Sequence, residues 1–308
     1  MKFISCADLH ITDRCPKNRK GNYFGQIIDK FEFILKTTMK TDSKILVIAG
    51  DFFDSAKVKY KVVNKVLFLL QKYNVRVLAI AGQHDLNYHV GGLDNTPLGI
   101  LETSRVVTIL KPDSVVKING ISFMGCGWNE IPQIEADVLV MHLCITKKGE
   151  LWPGQTNYSS SHAIMRKYPW AECIISGDNH MPHALRIKGG FSGHRLQVNC
   201  GSLVRSTKSQ LDFQPRAYLI DIHNWRAKPI KIPCLPAEDV FDFDKIAIDE
   251  IKGEAKKEAE AKIAEFISLL PKNQTEKPSF KNALNSVIAY SKPKQSVMNI
   301  INSTMEKL

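Results

Sequence analysis

Five times along the chain a short apolar stretch runs into a polar cluster containing Asp or His. Lys2–Cys6 leads into Asp8-Leu9-His10. Lys44–Ala49 leads into Gly50-Asp51-Phe52-Phe53-Asp54, and Val75–Ala81 into Gly82-Gln83-His84-Asp85. Asp137–Met141 ends at His142, and Cys173–Ser176 ends at Gly177-Asp178-Asn179-His180. Short apolar runs bounded by Gly and polar residues read as strands buried on both faces. Between the first three, Gln26–Met39 and Val58–Lys72 carry apolar residues at helical spacing: Ile27, Phe31, Ile34 and Leu35, then Val62, Val63, Val66, Leu69 and Leu70. The resulting βαβαβ order calls for parallel strands with right-handed crossovers. In such sheets ligands bind beyond the carboxyl ends of the strands, which is where each polar cluster falls.

The middle of the chain is richer in strands. Val115–Ile118 and Ile121–Gly125 flank Asn119-Gly120, a type I′ hairpin signal. Ala184–Lys188, Leu196–Asn199, Ala217–Ile222 and Pro229–Ile232 read as further strands. The expected fold class is α/β, a two-sheet αββα sandwich, with a small C-terminal helical region. The boundary is expected near 235/236, giving a catalytic domain over 1–235 and a helical capping or partner-binding region over 236–308. In that region Gly253–Leu270, Ser279–Ser291 and Gln295–Lys307 read as helices around a polar break at Pro271–Pro278. Its apolar residues Phe266, Ile267, Leu270, Leu284, Val287, Ile288, Val297, Ile300 and Ile301 form either a small core or a partner groove.

A core of this size needs no metal or disulfide to fold, so a metal would serve chemistry. The seven cysteines are scattered, with no Cys-x-x-Cys, which fits reduced thiols in a cytoplasmic protein. The apolar start is too short for a signal peptide, and no membrane-spanning run occurs.

Asp, His and amide side chains converging on one rim suit a pair of divalent ions such as Mn²⁺, Fe²⁺ or Zn²⁺. Asp8 and His10, two apart on an extended segment, project to one side and can grip one ion. Asp51 on the neighbouring strand can bridge two. Ions ~3.5–4 Å apart can activate a shared water and steady both oxygens of an in-line displacement at phosphorus. His84 is then a natural general acid, a role worth about 10²–10⁴ in rate. Taken singly, each motif is more often a turn, a helix cap or a satisfied histidine. Five in one structural context favour a metal site.

This ordered set, DLH, GDFFD, GQHD, MH and GDNH, resembles the calcineurin-like metallophosphoesterase superfamily, and within it the SbcD-type DNA repair exonuclease subunits. Gln197–Arg205 resembles the strand that follows the last metal motif in that family. The resemblance covers about residues 1–235. It implies one ion on Asp8, His10, Asp51 and His180, and a second on Asp51, Gln83, His142 and Asp178. It makes His84 the catalytic histidine, with Asp54 and Asp85 as outer carboxylates that orient ligands and imidazoles. The chain departs from the family twice, both times at the second ion: Gln83 stands where Asn is usual, and Asp178 where His is usual. The second site is thereby harder, which favours Mn²⁺, with Mg²⁺ or Fe²⁺ as alternatives. His183 reads as a loop residue rather than a substitute ligand.

Charge bears on the substrate. Lys and Arg total 42 against 31 Asp and Glu, for a formal charge of +11. Residues 241–308 hold 11 basic and 10 acidic residues, so nearly all of the excess lies in the first 240. Next to Asp8 and His10 runs a loop with Arg14, Lys17, Arg19 and Lys20, followed by Tyr23 and Phe24. Cations hold phosphates and aromatic rings stack on bases, so this loop is expected to meet nucleic acid. Arg205, with Arg195 and Lys208, is a second basic cluster. Lys57, Lys59, Lys61 and Lys65 alternate with apolar positions entering a helix and read as a solvated face. The resemblance implies DNA phosphodiester hydrolysis in recombination or repair, an SbcC-type coiled-coil ATPase partner and a possible homodimer. A phosphomonoesterase on protein or nucleotide, or a non-catalytic scaffold, are the competing readings.

Overall fold

All five residues of the second apolar stretch, Ile45–Ala49, are buried, and so are all five of Val138–His142 and Cys173–Gly177. Strands covered on both faces need a layer on each side, and the computed structural model supplies them. It describes residues 1–147, 149–151, 154–190, 193–269 and 280–291, together with 293, 295, 297–299 and 301.

The N-terminal part is β1 (Lys2–Cys6), α1 (Tyr23–Met39), β2 (Ile45–Ala49), α2 (Tyr60–Tyr73), β3 (Arg76–Ile80), α3 (Pro97–Thr103) and β4 (Val107–Ile109). Next come β5 (Val116–Ile118), β6 (Ile121–Cys126), β7 (Val138–His142), β8 (Ile145–Thr146), β9 (Ser159–Ser160), α4 (Ser161–Lys167) and β10 (Cys173–Gly177). The remainder is β11 (His183–Lys188), β12 (His194–Asn199), β13 (Arg216–Asp221), β14 (Arg226–Lys231), α5 (Ala237–Val240), α6 (Phe243–Leu269) and α7 (Phe280–Ser291). One sheet has the order β14-β13-β1-β2-β3-β4, the other β11-β12-β10-β7-β6-β5. In the first, β1 to β4 run parallel, with Ile4 opposite Leu46 and Leu46 opposite Val77. In the second, β6, β7, β10 and β12 run parallel. At the β5–β6 hairpin Asn119 and Gly120 both take positive φ, 51° and 80°, as a type I′ turn requires.

The two sheets face each other across Val47, Leu78, Ile80, Val138, Val140 and Ile175. Helices α1 and α2 cover the outside of the first sheet through Phe31, Leu35, Val66 and Leu70. Helix α4 covers the second through Ile164 and Met165, against Leu139 and Ile174. This is the expected αββα sandwich. The sequence did not reveal α3, α4, β4, β8 or β9. They are two to seven residues long, too short to show a period.

The first compact unit runs over Met1–Ala247 and the second over Ile248–Leu308. Residues after 235 belong to the first unit as far as Ala247, because Val240, Phe241 and Ile246 form a small core with Leu211. The second unit's described part is helical. The expected break at 271–278, Leu270, Ile300 and most of the helix expected over 295–307 lie outside the described residues. No described helix is long and apolar enough to cross a membrane. All seven cysteines are free thiols.

Candidate metal centre

The chain turns sharply where each strand ends. Asp8, His10, Asp51 and Asp178 take left-handed backbone conformations, with φ of 49°, 45°, 48° and 73°. Non-glycine residues adopt this region at a cost, and such strain concentrates at functional sites. Gly50, at φ 87°, lies against His142, and a Cβ there would collide with the imidazole Nδ1. Likewise a Cβ on Gly82 would collide with the Asp51 carboxylate. Gly50 thus lets β2 approach β7 of the other sheet, and Gly82 lets the ends of the neighbouring strands β2 and β3 close together.

Asp51 is the hub. Its Oδ1 accepts the His84 backbone N–H at 3.0 Å. Its Oδ2 faces His142 Nε2 at 3.5 Å, His10 Nε2 at 3.7 Å and His84 Nε2 at 3.9 Å. His142 Nδ1–H donates to the Ala49 carbonyl at 2.9 Å, which directs Nε2 at the carboxylate. That nitrogen is buried and has no hydrogen-bond partner. Asp8 is fully buried; one oxygen accepts the Asp178 N–H at 3.0 Å, and the other has no partner. His10 and His180 approach nitrogen to nitrogen at 3.3 Å. Three sets of side chains stand close enough to share an ion: Asp8, His10 and His180; Asp8, Asp51 and His142; and His10, Asp51 and His84.

The proton affinities agree with a site short of positive charge. Burial pushes Asp8 up to about 8, against the pull of His142 and with the help of the Asp51 charge. Burial acts upward on Asp51 too, but His142, His10 and His84 outweigh it and hold the group at about 2. Burial pulls His10 down to about 3 and lowers His180, so both rings keep free lone pairs at neutral pH. Burial also acts to lower His142, yet Asp51 and Asp8 hold it up to about 10. A divalent cation would remove the repulsion between Asp8 and Asp51 and take the proton's place on His142. Orphaned buried oxygens and nitrogens of this kind fit a metal centre, and the two clusters sharing Asp8 point to a dinuclear one.

The two departures from the family pattern touch each other. Gln83 Nε2 donates to Asp178 Oδ1 at 3.1 Å, and Gln83 Oε1 is buried without a partner. The longer amide is thus clamped by the substituted carboxylate with its oxygen left for a ligand. If this contact couples the two departures, single reversions should do worse than the pair. Gln83→Asn or Asp178→His alone is expected to weaken the second ion's binding. The double variant should recover it and shift preference toward Zn²⁺, as metal titration would show. Additive effects of the two changes would contradict this coupling.

Asp85, expected to orient ligands, bonds to backbone groups. Its carboxylate accepts N–H groups from Phe52 (3.1 Å), Phe53 (2.9 Å) and Gly82 (3.0 Å), tying the Asp51 and His84 loops together. Asp54 acts twice: its carbonyl accepts from His84 Nδ1 at 3.0 Å, and its carboxylate lies 3.6 Å from His10 Nδ1. His183 sits at the start of β11 and bonds to Ser161 Oγ, away from the centre. One neighbour of the centre does not stand out in the sequence: His89, whose Nδ1 donates to the Gln83 carbonyl at 2.8 Å and whose ring lies 6.0 Å from that of His84. His89, Tyr88 and Lys57 line a cavity of about 250 Å³ beside His84. The only sequence signal for it is a second histidine five positions on from the first.

The basic residues divide. Arg14, Lys17 and Lys20 are exposed on the loop after His10. Arg19 and Arg205, both expected to meet substrate, are instead buried, each about 6% exposed. Arg19 donates to the Arg205 carbonyl at 2.8 Å and lies between the Tyr23 and Phe241 rings. Arg205 donates to the carbonyls of Leu211 and Leu235. Arg195 is buried as well, holding the carbonyls of Met165 and Ala171. Lys59 and Lys61 close on Asp13 at 3.1 and 2.9 Å.

The sequence model described as calcineurin-like phosphoesterase matches residues 1–182, more than half of the chain and all five motifs. No curated protein matches the chain. A 5′-nucleotidase precursor from Thermus thermophilus is similar in structure, with a TM-score of 0.42 and 12% identity over 83% of this chain. The chain spans only 59% of that protein's length. A dimetal phosphatase from Danio rerio gives a TM-score of 0.46 and 11% identity, over 75% of this chain and 98% of that one.

Proposed function

The chain belongs to the calcineurin-like phosphoesterase family of metal-dependent hydrolases, and on that premise we propose that its substrate is a DNA phosphodiester. The observation that carries this reading is the exposed Arg14, Lys17 and Lys20 on the loop that leaves His10. That loop adjoins the centre: burial raises Asp54, and the Arg14 charge, with His84, acts against the rise. Cations in this position hold the backbone phosphates on either side of a scissile bond.

Asp8, His10, Asp51 and His180 would hold one ion, and Asp51, Gln83, His142 and Asp178 the other. Bound divalent ions supply Lewis acidity at the phosphoryl oxygens and lower the pKa of the attacking water. The chain's own residues do the rest. The Asp54 carbonyl accepts a hydrogen bond from His84 Nδ1–H, which aims Nε2 into the site. From Nε2–H of the His84 imidazolium a proton passes to the departing deoxyribose oxygen, leaving the neutral Nδ1–H imidazole. Asp85 keeps His84 and Asp51 in register by binding both of their loops. The oxygen-rich second site favours Mn²⁺. An SbcC-type ATPase, with the helical region over 236–308 as its docking or capping segment, and a homodimer complete the reading.

The test is Mn²⁺-dependent cleavage of end-labelled linear DNA, beside a chromogenic phosphodiester and a phosphomonoester. DNA cleavage supports the proposal. Turnover of the monoester alone would replace it with a phosphomonoesterase, a reading favoured by the small cavity beside His84. Silence on all three substrates, with fewer than two ions bound, would make the chain a scaffold. Replacing Arg14, Lys17 and Lys20 with Ala should weaken DNA binding. It should also reduce the salt slope by about 0.9 for each duplex phosphate that is no longer neutralised. An unchanged slope would place the DNA path elsewhere.

A further inference from the structure

Three cations are buried together beside α1. Arg19, Lys30 and Arg205 are 6%, 7% and 6% exposed and line one cavity of about 550 Å³. Lys30 projects from the α1 face that also carries Gln26 and Phe33, and Leu235 and Cys234 close the cavity from the segment after β14. None of the three cations forms an ion pair with a carboxylate among the described residues. Their partners are neutral: Lys30 donates to the Leu203 carbonyl at 3.2 Å, Arg19 to the Arg205 carbonyl and to Gln26, and Arg205 to the carbonyls of Leu211 and Leu235. The Nε atoms of Arg19 and of Arg205 are buried without a hydrogen-bond partner. The two acids at the cavity do not compensate. Glu32 is engaged by Lys36, Lys72 and Tyr73, and Asp29 is exposed.

Three like charges taken out of water without a counter-charge are costly, and carbonyl dipoles recover only part of that cost. The Lys30 ammonium registers it. Burial pulls it down to about 8; Cys234 opposes this, and the Arg19 and Arg205 charges add to it. A cavity of this volume lies in the roughly 300–1,000 Å³ range of small-ligand sites. Guanidinium groups beside an ammonium are the donor set that recognises a phosphate.

We propose that this cavity is a binding site for a small phosphate-bearing anion, separate from the metal centre, with Arg19, Lys30 and Arg205 supplying the positive charge. The ligand is inorganic phosphate or the phosphate of a free mononucleotide, both small enough for the space.

The experiment is calorimetric titration of the Mn²⁺-loaded full chain at fixed ionic strength, first with inorganic phosphate and then with a deoxynucleoside 5′-monophosphate. Wild type, Lys30→Met and Asp51→Ala are compared. Lys30→Met should weaken one class of sites by about tenfold or more, as losing a hydrogen bond to a charged group would. Asp51→Ala should keep that class, so failure at the metal centre and failure at the cavity read out separately. A preference between the two titrants identifies the source of the phosphate. If Lys30→Met does not fold, thermal melting of Asp51→Ala decides: phosphate should raise its Tm where equal ionic strength of chloride does not. The proposal falls if neither anion binds Asp51→Ala or shifts its Tm. It falls equally if Lys30→Met binds both anions as wild type does, and a higher Tm in that variant would then mark Lys30 as a merely costly buried charge.

Discussion

Asp51→Ala is expected to bind neither ion and to lose essentially all hydrolysis. The loss should exceed the about 10–100-fold typical of removing an outer partner of a metal ligand. The reason is geometric: one carboxylate oxygen faces His10, His84 and His142 within 3.9 Å, so no other side chain can replace it. The fold should survive. It is Asp85, not Asp51, that binds the Phe52 and Phe53 backbone, and both phenylalanines remain fully buried. With Asp51 gone, the main group holding the His142 proton is lost, so that imidazole should release its proton more readily in the variant. Metal analysis and calorimetric melting check the two halves of the prediction. Retention of both ions would remove Asp51 from the bridging position.

His84→Ser is expected to slow the chemistry by about 10²–10⁴ while leaving metal content near wild type. The side chain is 39% exposed, far more than those of His10 and His142 around the same carboxylate, and it is anchored by the Asp54 carbonyl. Exposure together with a fixed ring orientation suits proton delivery from Nε2 of the imidazolium. His84 nevertheless stands close enough to His10 and Asp51 to share an ion with them. The variant therefore separates two roles. Activity lost with metal retained makes His84 a general acid; activity and one ion lost together would make it a ligand. A leaving group that needs no protonation, such as a nitrophenolate, should partly escape the effect.

Much of the centre is legible in the sequence. Asp8, His10, Asp51, Gln83, His84, His142, Asp178 and His180 all lie at the carboxyl ends of apolar strands, and the fold brings them to one rim. The helices α1 and α2 show their period because 17 and 14 residues are enough to repeat an apolar face. Short elements carry no such signal. Arg19 and Arg205 mislead for a different reason. As sequence they are cations near a metal motif, and nothing local distinguishes them from Arg14. Their burial follows from carbonyls far along the chain: Arg19 binds that of Arg205, and Arg205 binds that of Leu235.

What the sequence determined by itself is therefore the architecture and which polar side chains gather at one rim. Strands buried on both faces must be apolar throughout, and polar residues are admitted only where such strands end, so pattern and position are locked together. The tertiary structure alone decided how those groups are partnered. It showed that Gln83 and Asp178 are hydrogen-bonded to each other, that His142 is held by Ala49 from the opposite sheet, and that three cations share a cavity beside α1. Each depends on side chains meeting across long sequence separations, and whether a charge is solvated or buried is a property of that meeting rather than of the residue.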